Sequence, residues 1–109
     1  MEARPRVILF FEAGRVPEWL DDLEQRDPEA YDAIVARLER VEDGNLGDYG
    51  PAGKVLELRF IRTGRGYRIY FGVQDDMVII LWAGTKKTQD ADISVANRLS
   101  KEYNDAQED

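Results

Sequence analysis

The stretch that determines the fold is residues 54–88, KVLELRFIRTGRGYRIYFGVQDDMVIILWAGTKKT. Three runs rich in β-branched and aromatic residues, 54–62, 66–74 and 77–85, are separated by the short segments Thr63-Gly64-Arg65 and Asp75-Asp76. Segments of two or three residues that contain glycine or aspartate are typical hairpin turns. The stretch therefore predicts an antiparallel meander of three strands.

Side chains alternate between the two faces of a strand, and the first two predicted strands show this alternation clearly. One face is apolar and consists of Leu56, Leu58, Phe60, Tyr67, Ile69, Phe71 and Val73. The opposite face is polar and consists of Glu57, Arg59, Arg68, Tyr70 and Gln74. We expect helices to cover the apolar face and the cationic face to stay accessible. The third strand is apolar on both faces, which is typical of a central strand.

The residues before the meander predict a strand and two helices. The apolar run at 7–11 predicts a strand that is buried on both faces. Apolar residues at helical spacing predict one helix over 16–26 and a second helix with Asp27 as its N-cap, Pro28 as its first residue and Gly44 at its end. Residues 44–53 hold four glycines and Pro51, so they predict a loop.

After the meander, Thr88 or Asp90 can cap a last helix that carries Ile93, Ala96 and Leu99 on one face. The predicted order is β-α-α-β-β-β-α, a small antiparallel sheet packed against helices, which belongs to the α+β class. A chain of 109 residues with 43% hydrophobic residues is large enough for one core. We therefore predict a single domain over residues 1–109.

The sequence contains no cysteine and no histidine. This excludes disulfides and thiolate metal sites, and it removes the commonest general base and zinc ligand. Any chemistry must use Lys, Arg, Glu, Asp, Tyr or backbone groups, and we predict neither a metal nor a cofactor. The five-residue apolar run at 7–11 is too short for a signal peptide or a membrane span. A soluble cytoplasmic protein is the expectation.

The distribution of charge matters more than its total. The net charge of −7 argues at first against a nucleic-acid partner. Residues 54–87, however, hold seven cations and three anions, a net charge of +4, which leaves −11 for the rest. Exposed charges are screened over about 8–10 Å at physiological salt, so a local cationic surface can bind phosphate on an acidic protein. Composition leaves an ordinary solvated charge pattern open as the alternative.

The polar face of the predicted sheet gathers Glu57, Arg59 and Arg68, and the end of the last strand adds Lys86 and Lys87. Guanidinium groups suit phosphate because they donate bidentate hydrogen bonds and stay charged at any working pH. An arginine opposite a glutamate on a sheet face is also a common cross-strand ion pair. From the residues alone, both a phosphate site and a structural ion pair remain open.

The chain reads Glu57-Leu58-Arg59, then GYRIYF at 66–71, then LWAGTKKTQ at 81–89, followed by Asp92-Ile93 and Ala96. In order and spacing these residues resemble the HigB-like (phage Gp49-like) addiction-module killer proteins of the RelE/ParE toxin superfamily. The resemblance spans nearly the whole chain. It implies a RelE-like fold and a type II toxin that a helix-turn-helix antitoxin neutralises.

Ribonuclease members of this superfamily cut messenger RNA without metal, usually on the ribosome, by attack of a ribose 2′-hydroxyl on its own phosphate. By position in the motif, Arg68 is similar to the arginine that stabilises the transition state, and Lys86 to a second cation. Arg59 lies where such members place a basic residue, either a base aided by a relay or a phosphate contact. Glu57 is the competing carboxylate base. On an exposed face, Arg68→Ala should reduce the rate while barely changing stability.

Four further residues complete the predicted site as substrate-binding residues: Lys87, Tyr70, Gln89 and Lys54. For Gln89 and Asp92, capping of the last helix is the alternative. For Tyr70 and Trp82, stacking on a base competes with ordinary packing within the sheet.

Two other functions remain open. Gyrase-inhibiting members of the superfamily bind a protein and cut nothing, and retention of Arg59, Arg68 and Lys86 favours the ribonuclease over them. A non-catalytic module that only binds an antitoxin is the third interpretation. The chain also departs from many ribonuclease members, because it is acidic, has no histidine and offers Tyr103 as its only late aromatic residue.

Overall fold

The computed structural model describes residues 4–60 and 66–107. It confirms the α+β class, with three layers in which a five-stranded mixed sheet lies between two helices on one face and one helix on the other. The strands are β1 (Val7–Phe10), β2 (Tyr49–Ala52), β3 (Val55–Phe60), β4 (Tyr67–Gln74) and β5 (Met77–Thr85). The helices are α1 (Val16–Arg26), α2 (Pro28–Glu42) and α3 (Gln89–Gln107).

The sheet order is β1-β5-β4-β3-β2. β3, β4 and β5 form the predicted antiparallel meander, and the turn at Asp75-Asp76 is present. The other predicted turn, Thr63-Gly64-Arg65, lies outside the described residues. β1 pairs with β5 in parallel, so the sheet is mixed and not wholly antiparallel as the sequence predicted. A parallel pair needs a long crossover, and both α1 and α2 lie between β1 and the meander.

The stretch predicted as a loop contains a fifth strand, β2, which pairs with β3 at the edge of the sheet. Pro51 is compatible with this position because an edge strand has one side without ladder hydrogen bonds. Glycine and proline content therefore misled the prediction at this segment.

The prediction that β1 is buried on both faces is wrong. β1 is the other edge strand, and Val7 and Leu9 are 61% and 40% exposed. Ile8 and Phe10, on the opposite face of β1, pack against the core beneath α1 and α2. An apolar run on an edge strand thus has only one covered face.

α1 and α2 form where the sequence predicted, whereas α3 continues to Gln107 through residues expected to fray. The Asp27 side chain accepts a hydrogen bond from the backbone N–H of Ala30 at 3.1 Å, and Pro28 is the first residue of α2. Gly44 has a positive φ of 95°, which ends α2 in a conformation that glycine adopts without strain. Within the described part of the chain, no helix is both long and apolar enough to cross a membrane.

The sheet has a core on each face. α1 and α2 cover the face that carries Leu58, Ile69 and Phe71. α3 covers the other face, where Ala96, Leu99 and Tyr103 pack against Val55, Tyr70, Ile79 and Leu81. The expectation that the second face stays accessible is therefore wrong, because the sheet is wide enough to bury both faces under three helices.

Candidate functional site

Strand pairing brings the predicted polar residues together near one end of the sheet. Glu57 lies directly opposite Tyr70, and Arg59 lies directly opposite Arg68. Paired residues on neighbouring strands have Cβ atoms about 4.5–5.5 Å apart, so the four side chains form a compact square. Arg68 also lies opposite Gly84 of β5, just before the Lys86–Thr88 turn. We call Glu57, Arg59, Arg68 and Tyr70 the polar square.

Glu57 is the centre of the polar square and is only 3% exposed. Its Oε1 atom accepts a hydrogen bond from Arg59 Nε at 3.1 Å and lies 4.0 Å from Arg68 Nε. Gln89, the first residue of α3, donates from Nε2 to Oε1 at 3.0 Å and to Oε2 at 3.1 Å. Two guanidiniums and one amide therefore stabilise the buried charge of this carboxylate.

Arg59 is the more accessible of the two arginines, with 32% of its side chain exposed. Beyond Glu57, its Nη1 atom lies 3.6 Å from the carboxylate of Asp48. The guanidinium crosses β2 above Gly50, where any Cβ would overlap it. Arg59 thus packs on the edge strand β2, which resembles a loop in the sequence. Asp48 also belongs to the site, and no motif indicated it.

Arg68 is 6% exposed, and backbone carbonyls hold its guanidinium. Its Nη1 atom donates to Gly66 O at 2.9 Å and to Tyr67 O at 3.2 Å. Its buried Nε atom has no hydrogen-bond partner among the described residues, although it lies 4.0 Å from Glu57. The side chain predicted to lie on an open surface is instead buried beside the carboxylate, because α3 covers this face.

Tyr70 is fully buried and packs in the core beneath α3. Of the two alternatives for this ring, the structure shows packing within the sheet and not an open surface for stacking on a base. Its hydroxyl has no hydrogen-bond partner within the described part of the chain. Burial raises the pKa of the Tyr70 phenol, and the nearby carboxylates of Glu57 and Asp92 raise it further, while Arg68 opposes them. The hydroxyl therefore stays protonated throughout the neutral range.

A second carboxylate fixes the turn that carries the lysines. Asp92, in the first turn of α3, accepts hydrogen bonds from Trp82 Nε1 at 2.9 Å and from the Thr88 hydroxyl. Gly84 makes room for this carboxylate, since a Cβ there would overlap it. Asp92 therefore ties α3, β5 and the Lys86–Thr88 turn together.

Lys86 and Lys87 lie in that turn and are exposed. The Lys86 backbone N–H donates to Gly66 O at 2.9 Å, the same oxygen that accepts from Arg68 Nη1. Lys86 is thus adjacent to the guanidinium of Arg68, at the open end of the polar square. Lys87 lies beside it, along a surface depression that also includes Gln89 and Asp90.

Lys54 lies far from this cluster. It belongs to the turn between β2 and β3, where its backbone N–H donates to Asn97 Oδ1 at 2.7 Å. Arg59 follows five residues later along β3, a distance of about 16 Å at the rise of a strand. The structure brings together the other seven predicted site residues and leaves Lys54 beside α3 at the opposite end of the sheet.

Arg37 of α2 is buried and organises the loop before β2. Its guanidinium donates to the carbonyl oxygens of Leu46, Asp48 and Arg59 at 2.6–3.1 Å, and it lies 5.0 Å from the centre of the Phe60 ring. Burial lowers the pKa of Arg37, and the charge of Asp48 counters this. The signal in the sequence is an arginine within the apolar stripe of a predicted helix, and it was not recognised as a buried side chain.

In the described residues, no group of three or more Asp and Glu side chains is arranged to hold a metal ion. The site is therefore defined by a buried carboxylate, two arginines and two adjacent lysines on a small mixed sheet.

Fold and site define a small α+β protein with a buried carboxylate, two arginines and a lysine-bearing turn near one end of its sheet. Residues 18–103 match the model of the family described as phage derived protein Gp49-like (DUF891). The chain belongs to this family, which is a family of toxins from toxin–antitoxin systems and implies an antitoxin partner.

A relative from Haemophilus influenzae, described as an uncharacterized protein, is 41% identical over 86 residues. The aligned segment covers 77% of this chain and 84% of the relative. No solved structure matches the chain.

Proposed function

We propose that this protein is the toxin of a type II toxin–antitoxin pair and acts as a metal-independent endoribonuclease on messenger RNA, in the cytoplasm and on the ribosome. The observation that carries the proposal is that Arg59 and Arg68 flank one buried carboxylate, Glu57, beside the turn that carries Lys86. Cleavage by a neighbouring 2′-hydroxyl needs a proton acceptor, cations for the pentavalent phosphorus and a proton donor for the leaving oxygen.

Each need has a candidate in the cluster. Glu57 is the proton acceptor for the 2′-hydroxyl, because arginine has no acceptor atom. The 2′ oxygen then attacks phosphorus, Arg59 and Arg68 stabilise the added negative charge, and the bond to the 5′ oxygen breaks. The Lys86 ammonium gives a proton to that oxygen. The products are a 2′,3′-cyclic phosphate and a 5′-hydroxyl.

Access to Glu57 requires Gln89 to release it. Glu57 is 3% exposed, and both of its oxygens accept hydrogen bonds from Gln89. We propose that a side-chain rotation of Gln89, at the first residue of α3, opens the carboxylate to the substrate. The substrate 2′-hydroxyl, which can donate to the carboxylate, replaces this contact on binding.

The test combines cells and purified protein. Induced expression without the antitoxin should stop translation before DNA replication, and purified protein should cut RNA in the presence of EDTA to leave cyclic phosphate ends. Arg68→Ala should cut RNA more slowly than the wild-type protein. The matched control is Arg98→Ala, which removes an exposed arginine of α3 and should leave the rate unchanged. A prompt block of DNA synthesis with intact transcripts would instead identify a gyrase inhibitor. The burial of Glu57 and Arg68 favours this rival, because a protein that cuts nothing needs no accessible catalytic groups.

The antitoxin is proposed to be a helix-turn-helix protein with an acidic segment that covers Arg59 and the lysine turn. These are the exposed cations of the cluster, and a disordered acidic segment can order itself on such a surface. A complex in which the antitoxin leaves Arg59 and Lys86 accessible would contradict this assignment.

A further inference from the structure

A cavity of about 310 Å³ lies where β1 ends and the chain turns into α1. β1 pairs with β5 only as far as Ile80, and the cavity lies beyond that point against Trp82 and Ala83. The first turn of α1 supplies the opposite wall, with Arg15, Glu18 and Trp19. Gly14 closes the base of the cavity, packed so tightly on Leu81 that a Cβ would overlap its carbonyl oxygen. We call this the tryptophan cavity.

The lining combines flat apolar surfaces with a charged rim. Trp19 and Trp82 are both partly exposed, and they are the only two tryptophans of the chain. Arg15 and Glu18 form an exposed ion pair at 3.2 Å, which places donors and carboxylate acceptors beside the indoles. A volume near the lower end of the range of about 300–1,000 Å³ for ligand pockets suits a single planar group rather than a large ligand.

Two further features relate the cavity to its surroundings. Arg15, with a φ of 55°, joins the turn at Glu12–Gly14 to α1 beside the cavity. Trp82 also connects the cavity with the polar square, because its Nε1 donates to Asp92 and its backbone lies opposite Tyr70. Trp82 and Glu57 are separated by β4 alone, a distance of about 10 Å across the sheet.

We propose that the tryptophan cavity binds one base of a single-stranded RNA whose phosphate occupies the polar square. Indole rings stack on any base, which gives affinity without sequence preference. A carboxylate only accepts hydrogen bonds, so Glu18 favours a base that presents an exocyclic amino group. This inference rests on the proposed ribonuclease function, whose substrate class it specifies.

Binding is testable without cleavage, because both tryptophans of the chain line this cavity and their emission responds to a base placed there. The probe is an all-2′-deoxy trinucleotide, which lacks the attacking hydroxyl, and the comparison is the same trinucleotide with one abasic position. The complete trinucleotide should quench the emission saturably, and the abasic form should bind several-fold more weakly. Trp19→Phe and Trp82→Phe should each weaken binding several-fold while leaving the other indole as reporter.

Selectivity is tested with Glu18→Gln and the matched control Glu29→Gln, an exposed glutamate in the first turn of α2. Glu18→Gln should reduce the preference for cytosine over uracil by about 2- to 10-fold, the value of one hydrogen bond. Glu29→Gln should leave it unchanged. Thermal unfolding of each variant identifies any that fail to fold.

Three outcomes would overturn the inference. The abasic probe binds as tightly as the complete trinucleotide, the trinucleotide leaves the tryptophan emission unchanged, or an antitoxin buries both tryptophans and no trinucleotide reaches them. If the wild-type protein cuts RNA and the tryptophan variants cut with unchanged base preference, the inference fails while the proposed function stands. If the trinucleotide binds in the cavity but no RNA is cut, the proposed catalysis fails and the base site stands.

Discussion

Gln89 donates hydrogen bonds from one amide nitrogen to both carboxylate oxygens of Glu57, at 3.0 and 3.1 Å. The two residues are 32 positions apart, and their contact joins the start of α3 to the middle of the sheet. Under the proposed function, this contact closes the polar square to the substrate, so the same amide stabilises the resting protein and competes with the substrate.

Gln89→Ala should lower the free energy of unfolding by about 1.5–3 kcal/mol, because it removes a hydrogen bond to a buried charge. The measurement is urea unfolding followed by circular dichroism. Gln25→Ala, at an exposed position of α1, is the control and should change stability by less than about 0.5 kcal/mol. Equal effects of the two substitutions would show that the Gln89 contact contributes nothing in solution.

Gly84→Ala should destabilise the protein by about 2–3 kcal/mol or more, because the new Cβ overlaps the Asp92 carboxylate. Removing that carboxylate with Asp92→Ala should recover part of the loss, so the double variant should be more stable than additivity predicts by about 1 kcal/mol. Chemical unfolding of the four proteins gives this coupling.

Gly72→Ala is the matched control in the same sheet, since nothing lies within 4 Å of a Cβ at that position. It should be neutral or stabilising by about 0.4–1 kcal/mol, because alanine restricts the unfolded chain. A Gly84→Ala protein as stable as the Gly72→Ala protein would contradict the close packing of Asp92.

The meander and the partners within it were predictable because their signals are local. Alternation along β3 and β4 places Glu57, Arg59 and Arg68 on one face, and the pairing confirms that these side chains are neighbours. Asp27 as N-cap and Pro28 as first residue of α2 were correct for the same reason. These features depend on spacings of two to four residues, which a sequence displays directly.

Burial was not predictable in this way. Whether Arg68 is exposed depends on where α3 packs, and α3 lies 21 or more residues further along the chain. The roles of Arg37 and Asp48 depend on β2, an edge strand whose Gly50 and Pro51 resemble a loop. The burial and contacts of these side chains depend on packing between elements that are distant in the sequence, and a local sequence pattern does not show that packing.

Tyr70 predicts a pH dependence of stability at alkaline pH. Burial and neighbouring carboxylates raise the pKa of the Tyr70 phenol in the folded protein. The stabilisation that comes from this raised pKa is therefore fully present below the ordinary tyrosine pKa of about 10. Above that pH the unfolded chain loses this proton and the folded chain keeps it. The stability of the wild-type protein should therefore fall relative to Tyr70→Phe by about 1.4 kcal/mol per pH unit.

The measurement is urea unfolding of both proteins between pH 8 and about 11. At neutral pH, Tyr70→Phe should be as stable as the wild-type protein or more so, because it removes a buried hydroxyl without a partner. Tyr49→Phe, at a 45% exposed position, is the control and should follow the wild-type profile. Parallel profiles for wild type and Tyr70→Phe would contradict the raised pKa.

Arg68 gives the last prediction, and its burial changes what the sequence alone suggested. An exposed Arg68 would contribute little to stability, but Arg68 is 6% exposed and lies beside the buried charge of Glu57. Arg68→Ala should therefore cost about 2–4 kcal/mol of stability, since it leaves that carboxylate with fewer cations. Stability alone does not distinguish a structural ion pair from a catalytic guanidinium.

The distinction comes from the rate of RNA cleavage per folded molecule, measured well below the melting temperature of each variant. If Arg68 stabilises the transition state, Arg68→Ala should reduce this rate by about 10²–10³, and Arg68→Lys should recover little because an ammonium cannot make bidentate contacts with phosphate. Arg98→Ala, the exposed control, should keep the wild-type rate. A folded Arg68→Ala protein that cuts RNA at the wild-type rate would restrict Arg68 to the structural ion pair with Glu57. Catalysis would then depend on Arg59 and Lys86, which the structure leaves more accessible than Arg68.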